Sequence, residues 1–186
     1  MKKFELTTEF ITNAFGKKLF RIKALVEFGD VKAGELGGYV EKEGNVSQAG
    51  NAWVYGNARV SGDARVSGNA WVYGNAWVYG DARVYGNAEV SGNAEVYGDA
   101  RVCGNAWVYG NADYALVQGF GTEFRCTTFY RGKNKKIMVN CGCFHGDLEG
   151  FRKQVKETRN GKIAKEYLMI ADLMEYHFTS EDSSDE

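Results

Sequence analysis

Residues 68–85 read Gly-Asn-Ala-Trp-Val-Tyr-Gly-Asn-Ala-Trp-Val-Tyr-Gly-Asp-Ala-Arg-Val-Tyr, which is one six-residue phrase written three times. The phrase recurs from Gly44 to Ala115 and holds glycine in its first slot twelve times without interruption. The second slot is Asn or Asp, the third is usually Ala, the fifth is usually Val, and the sixth is most often Tyr or Ser. A fixed six-residue period predicts a parallel β-helix, a solenoid that stacks short strands.

The alternation of side chains along a strand predicts which slots form the interior. The third and fifth slots share one side of the strand, and the fourth and sixth share the other. Because the third and fifth slots hold small apolar Ala and Val, we expect them to point inward. The Gly-Asn or Gly-Asp pair is expected at each corner, since both residue types tolerate left-handed backbone angles.

A second period sets the number of strands in each coil. Aspartate replaces asparagine in the second slot at Asp63, Asp81 and Asp99, which are spaced by 18 residues. Three hexapeptides per coil predict a three-sided prism of four coils, roughly 19 Å long at about 4.8 Å per strand.

We name the three faces by their fourth-slot residues. The first face carries Ser47, Arg65, Arg83 and Arg101. The second face carries Trp53, Trp71, Glu89 and Trp107. The third face carries Arg59, Trp77, Glu95 and Asp113. This assignment predicts that all four tryptophans of the protein lie outside the prism.

The flanking segments predict four regions in all. Residues 1–30 are expected to form an N-terminal β cap, and residues 31–116 the solenoid, beginning with a degenerate coil in which Gly38 and Val40 already keep the register. Residues 117–178 are expected to form a small ββαα module, a hairpin followed by two helices, with Asp147 as a helix N-cap. Residues 179–186 are expected to form a disordered acidic tail.

Composition narrows the class of protein. The 186 residues are 44% hydrophobic with a formal net charge of -1, which is typical of a folded, soluble protein. Without a basic field we expect neither membrane association nor sequence-specific nucleic-acid binding. We find no apolar run long enough for a membrane span and no signal peptide, so a cytoplasmic location with four reduced cysteines is expected. No cofactor is expected.

The Ala-x-Val pattern resembles the hexapeptide-repeat left-handed β-helix family. The stretches Phe28–Val40 and Asn45–Tyr55 resemble the entry coil of bacterial and bacteriophage proteins labelled as transferases of the YdcK type. The stretches Cys141–Phe151 and Ala164–Leu168 are similar to the C-terminal module of the phage proteins. The resemblance implies a left-handed mainly-β solenoid, a homotrimer, and a phage-encoded protein in the host cytoplasm.

Catalysis is one functional hypothesis. In enzymes of the hexapeptide family, acyl-CoA lies between neighbouring prisms of a trimer and a histidine acts as general base. The only histidines here, His145 and His177, lie outside the repeats, and no loop interrupts the repeats. The sequence therefore favours a non-catalytic protein over an acyltransferase.

Ligand binding is the second hypothesis. The candidate anion-binding residues are Arg65, Arg83, Arg101 and Arg59, because the arginine fork suits phosphate and carboxylate groups. Grooves between protomers would hold a nucleotide, with sequestration of a nucleotide signal of host defence as one version, or the appended module would recognise a host protein. The alternatives are that Asp63, Asp81 and Asp99 neutralise the arginines as surface ion pairs, or that the protein is a structural component of an assembly.

Two further sets of residues are candidates for contacts. A self-association surface on the second face would consist of Trp53, Trp71, Trp107, Tyr55, Tyr73 and Tyr109. The alternative is that these rings only stack between coils and stabilise the solenoid. A zinc site would consist of Cys126, Cys141, Cys143 and His145, and its alternative is a set of ordinary buried thiols.

Overall fold

The computed structural model describes residues 2–179, apart from the side chain of Arg125. The chain divides into two compact units, one that ends at Asn111 and one that begins at Ala112. Of the acidic tail predicted at 179–186, only Thr179 lies within the described residues, and there it ends a helix. No helix in the described part is both long and apolar enough to cross a membrane.

The first unit begins with three longer strands and continues as a solenoid of two-residue strands. The long strands are β1 Phe4–Thr12, β2 Lys18–Ala24 and β3 Leu36–Val40. The solenoid strands are β4 Trp53–Val54, β5 Arg59–Val60, β6 Arg65–Val66, β7 Trp71–Val72, β8 Trp77–Val78, β9 Arg83–Val84, β10 Glu89–Val90, β11 Glu95–Val96, β12 Arg101–Val102 and β13 Trp107–Val108.

Each solenoid strand pairs in parallel with the strand one coil further on. Trp53 pairs with Trp71 and Val54 with Val72, an offset of 18 residues. The pairing produces three sheets, β6-β9-β12 on the first face, β4-β7-β10-β13 on the second and β5-β8-β11 on the third. The three-sided coil and the sorting of outward residues by face are therefore confirmed.

The interior consists of the third and fifth slots, as predicted. Every repeat alanine from Ala52 to Ala106 and every repeat valine from Val54 to Val108 is fully buried. Burial of one valine side chain stabilises the fold by about 1.5–3 kcal/mol, so the repeated Ala-x-Val supplies the core. Backbone hydrogen bonds such as Arg83 N–H to Ala100 C=O, at 2.8 Å, join the coils.

The corners require glycine for two reasons, which Gly86 illustrates. Its φ of 74° lies in the left-handed region, which costs other residues about 1–2 kcal/mol. In addition, a Cβ at Gly86 would lie 2.8 Å from the backbone N of Gly104 in the next coil. The stacking of corner on corner therefore excludes side chains at this slot.

The N-terminal cap extends the third-face sheet. The strands β1, β2 and β3 are antiparallel, and β3 then pairs in parallel with β5. Val40 pairs with Val60, 20 residues on, so the predicted 18-residue register of Gly38 and Val40 is wrong. The short 3-10 helix Glu43–Asn45 lies between β3 and the first regular coil and lengthens this coil.

Two side chains supply hydrogen-bond donors where the solenoid begins and its carbonyls have no preceding coil. The Lys3 ammonium donates to the carbonyl of Ala52 at 2.8 Å and of Gly50 at 3.3 Å. The Asn45 amide donates to the carbonyls of Gly62 at 3.1 Å and Ala64 at 2.9 Å. Because unpaired strand edges promote aggregation, these contacts protect the first coil.

The second unit is an antiparallel sheet with two helices. Its strands are β14 Tyr114–Phe120, β15 Arg125–Arg131, β16 Ile137–Cys141 and β17 Phe144–Asp147, in that order in the sheet. The helices are α1 Leu148–Thr158 and α2 Gly161–Thr179. The predicted hairpin is β15-β16, but the sheet has four strands instead of two, because β14 and β17 pair with its edges.

The helices of this unit start where the sequence predicts. Asp147 is the N-cap of α1, and its Oδ1 accepts a hydrogen bond of 2.9 Å from Gly150 N–H. This bond also lowers the pKa of the Asp147 carboxyl. The core between helices and sheet contains Phe129, Val139 and Phe151.

Candidate functional site

The arginines of the first face form one straight column. Arg65 pairs with Arg83, and Arg83 pairs with Arg101, each across one parallel strand contact. All three residues are exposed. Since neighbouring strands lie about 4.8 Å apart, three positive charges follow one another at that spacing along the solenoid axis.

The aspartates of the adjoining corner do not neutralise this column. Lys42 Nζ lies 2.6 Å from Oδ1 of Asp63, and this hydrogen bond lowers the pKa of the Asp63 carboxyl. Within residues 2–179, Asp81 forms no ion pair, and the side chains of Arg65 and Arg83 form neither an ion pair nor a hydrogen bond. The surface ion-pair column considered above is therefore absent at Arg65 and Arg83.

A groove runs along the arginine column. Its volume is about 460 Å³, and its lining consists of Gly44, Ser47, Arg65, Val66, Ser67, Arg83, Tyr85 and Arg101. The two serines add hydroxyl groups, and Tyr85 adds a half-buried aromatic ring. We call this feature the arginine groove. It combines cationic forks, hydroxyl donors and one flat apolar surface.

Arg59 does not belong to the arginine groove. It lies on the third face, where it pairs with Tyr39 on one side and Trp77 on the other. Its guanidinium therefore has aromatic neighbours and no arginine neighbour in its sheet. Of the four predicted anion-binding residues, the structure brings three together.

Trp53 is not on the surface, so its predicted exposure is wrong. Its side chain is fully buried. The rings of Phe4 and Phe28 cover it, at centroid distances of 5.9 and 5.3 Å. The reason is that the N-terminal cap folds over the first coil of the second face, a long-range contact that the repeat pattern does not encode. Trp53 therefore cannot be part of a self-association surface.

The rest of the second face is exposed mainly at its C-terminal end. Trp107 is 46% exposed and Tyr109 is 65% exposed. Trp71 is half-buried beneath Tyr55, at a centroid distance of 5.4 Å. Tyr73 donates its hydroxyl to Oε2 of Glu89 at 3.3 Å. The aromatic side chains near the start of the face thus stack between coils, and the exposed surface is smaller than predicted.

The predicted zinc ligands do not converge. These residues are Cys126, Cys141, Cys143 and His145. Thr127 pairs with Cys141 and donates its hydroxyl to Cys141 Sγ at 3.1 Å, so Cys126 points to the opposite side of the sheet. His145 Nε2 lies 3.1 Å from the hydroxyl of Tyr130, on the Cys126 side. Within residues 2–179 no three Cys, His, Asp or Glu side chains are arranged to hold a metal ion.

Two kinds of outward contact were missed from the sequence. The Tyr–Glu pairs join the sixth slot of one coil to the fourth slot of the next: Tyr73 to Glu89, and Tyr79 to Glu95 at 3.2 Å. Both pairs are 16 residues apart, so a search for hydrogen-bonding residues at that offset could have found them. The ion pair of Lys42 with Asp63 has no such signal, because Lys42 precedes the regular repeat.

The repeats match a family model for the YdcK β-solenoid repeat over residues 52–66, 64–80, 76–92 and 94–110. Residues 52–110 are therefore a β-solenoid of the YdcK repeat type, which confirms the resemblance for this segment. A comparison of the chain with curated proteins found no match.

Proposed function

We propose that this YdcK-type β-solenoid is a non-catalytic binding protein that holds an anionic small molecule in the arginine groove. The observation that carries the proposal is the column of Arg65, Arg83 and Arg101, whose first two guanidinium groups have no counter-charge among residues 2–179. The column lines a groove large enough for a small ligand.

The arginine column is costly for the free protein. Like charges directly opposite one another on neighbouring strands destabilise a sheet. The other two faces avoid such columns, since their fourth slots mix aromatic, basic and acidic residues, as in the run Trp71, Glu89 and Trp107. A bound anion would supply the missing counter-charge through charge-assisted hydrogen bonds.

The remaining lining residues suit a phosphate or carboxylate ligand with a planar part. The Ser47 Oγ accepts a hydrogen bond of 3.1 Å from Ala49 N–H, which leaves its own proton free to point at a ligand oxygen. Ser67 offers a second hydroxyl, and the Tyr85 ring offers a surface on which a nucleobase can stack. A nucleotide combines these features.

The wider context of the proposal is self-association and origin. The exposed rings of Trp107 and Tyr109 would be covered in a homotrimer, where a neighbouring protomer could also close the arginine groove. The resemblance to phage proteins favours sequestration of a nucleotide signal in a host cell. The acyltransferase alternative has less support, since the repeats contain no histidine.

A thermal-shift panel tests the proposal. Phosphate, pyrophosphate, ATP, citrate and acetyl-CoA are each added to the wild type, Arg83→Ala and Arg59→Ala. A ligand at a hundredfold excess over its Kd stabilises a protein by about 2.7 kcal/mol, so at least one anion should raise the Tm of the wild type. We expect Arg83→Ala to lose the shift and Arg59→Ala, which removes the same charge outside the groove, to keep it. No shift with any anion, or equal shifts in both variants, would contradict the proposal.

A further inference from the structure

We propose that the ligand of the arginine groove is a linear oligophosphate chain, bare or attached to a nucleoside, that lies along the solenoid axis. This inference rests on the proposed anion-binding function. It adds a shape to the ligand: anionic groups in a row, each matched to a guanidinium of a successive coil.

The spacing of the arginines favours an elongated anion over a compact one. The guanidinium fork of arginine binds one anionic group through two parallel hydrogen bonds. Because Arg65 and Arg101 are two coils apart, about 10 Å by strand spacing, a single phosphate cannot contact both. A chain of phosphoryl groups can contact Arg65, Arg83 and Arg101 together.

The acidic corner beside the groove restricts the ligand to the axial direction. Asp81 and Asp99 lie two residues before Arg83 and Arg101, so an acidic column runs parallel to the basic column. Both aspartates are exposed. An anion that is displaced sideways from the arginines meets these carboxylates and is repelled, whereas a narrow chain that follows the column avoids them.

The positive column stops at a defined coil. Val46 forms a bridge with Val66, and the residue beside it, Ser47, takes the place on the first coil that Arg65, Arg83 and Arg101 occupy on the next three. A Cβ at Gly44 would meet no atom within 4 Å, so this end of the groove is open and uncharged. The number of matched anionic groups is therefore set by three arginines.

Isothermal titration calorimetry with four probes tests the shape. The probes are phosphate, pyrophosphate, linear tripolyphosphate and cyclic trimetaphosphate, each at three salt concentrations so that general charge effects can be separated. We expect affinity to rise at least about tenfold with each added phosphoryl group of the linear series, the effect of one further charge-assisted hydrogen bond. Tripolyphosphate should bind at least about tenfold more tightly than its cyclic counterpart for the same reason.

Variants at the ends of the column sharpen the test. Arg65→Ala and Arg101→Ala should each reduce tripolyphosphate affinity to the level of pyrophosphate in the wild type, while Arg59→Ala leaves the series unchanged. ATP against tripolyphosphate distinguishes a nucleoside-linked chain from a bare one. Equal affinity for all four phosphate probes would overturn the linear-chain inference and leave the anion site intact. Absence of binding to every probe would overturn both.

Discussion

The side-chain amide of Asn69 donates a hydrogen bond of 3.1 Å to the Oδ1 of Asn87, the residue at the same corner of the next coil. Such ladders occupy two of the three corners of the solenoid. Their members are Asn57, Asn75 and Asn93 at one corner, and Asn69, Asn87 and Asn105 at the other. The third corner has Asp63, Asp81 and Asp99 instead, and these carboxylates repel one another where an amide would bond.

The variant Asp81→Asn is expected to stabilise the protein. The new amide can donate to the carboxylate of Asp99, as Asn69 does to Asn87, and one repulsive neighbour of Asp63 is removed. The gain should be about 0.5–1.5 kcal/mol for the hydrogen bond, and the lost attraction to the exposed Arg83 is worth less. Urea unfolding followed by circular dichroism measures the difference.

The reverse substitution at an asparagine corner is the matched control. Asn75→Asp loses the donor that now bonds Oδ1 of Asn93 at 3.2 Å and should destabilise the protein by a similar amount. If Asp81→Asn were destabilising and Asn75→Asp neutral, the ladder would not be a source of stability.

Trp53 should contribute far more stability than Trp107, although both occupy the fourth slot of the second face. Trp53→Ala removes a fully buried side chain, which costs about 3–5 kcal/mol. Trp107→Ala removes a ring that is 46% exposed and should cost about 1 kcal/mol or less, as for most surface substitutions. Guanidinium unfolding of the two variants makes the comparison.

A milder variant separates packing from hydrogen bonding at the same position. The indole N–H of Trp53 has no hydrogen-bond partner within the described residues, so Trp53→Phe should retain most of the stability that Trp53→Ala loses. A loss as large as that of Trp53→Ala would show that the aromatic contacts with Phe4 and Phe28 are not what holds the cap.

The solenoid was predictable because each of its contacts repeats with the sequence. The 18-residue return of aspartate indicated the pairing of Arg65 with Arg83, and the alternation of slots indicated the buried Val84. The burial of Trp53 could not be predicted in this way, since the residue that covers it, Phe4, is distant in sequence and follows no period. The same limit applies to β14, whose pairing with β15 depends on tertiary structure alone.

The candidate site was predictable in part for the same reason. The period placed Arg65, Arg83 and Arg101 on one face, and it placed Arg59 on another. What it could not indicate is where the aspartates find partners. Asp63 pairs with Lys42, a residue brought close by the irregular entry coil, and only the structure shows that Arg83 is left without a counter-charge.

Replacement of a corner glycine by alanine should be costly only where the corner is stacked and left-handed. Gly86→Ala meets both a φ of 74° and a contact of 2.8 Å with Gly104 N, so a loss of at least about 1–2 kcal/mol is expected. Gly44→Ala has no atom within 4 Å of the new Cβ and no positive φ, so it should be close to neutral. Thermal unfolding distinguishes the two, and equal losses would contradict the stacking argument.

The buried Lys3 should make the protein more stable as pH rises from about 8 towards 10. Burial lowers the pKa of Lys3 from 10.5 to about 8, so between these values the unfolded chain binds a proton that the folded chain has released. Stability rises with pH wherever the unfolded state binds more protons. The neutral amine can still donate to the carbonyl of Ala52, which keeps the first coil protected. The measurement is the free energy of unfolding at pH 7.5 and 9.5, under reducing conditions, for the wild type and for Lys3→Met. We expect the wild type to gain stability relative to the variant over this interval, because only the wild type has the titrating group. A difference between the two proteins that stays constant with pH would show that Lys3 remains charged, held by its two carbonyls and by the ring of Phe28, which lies 4.7 Å from the ammonium.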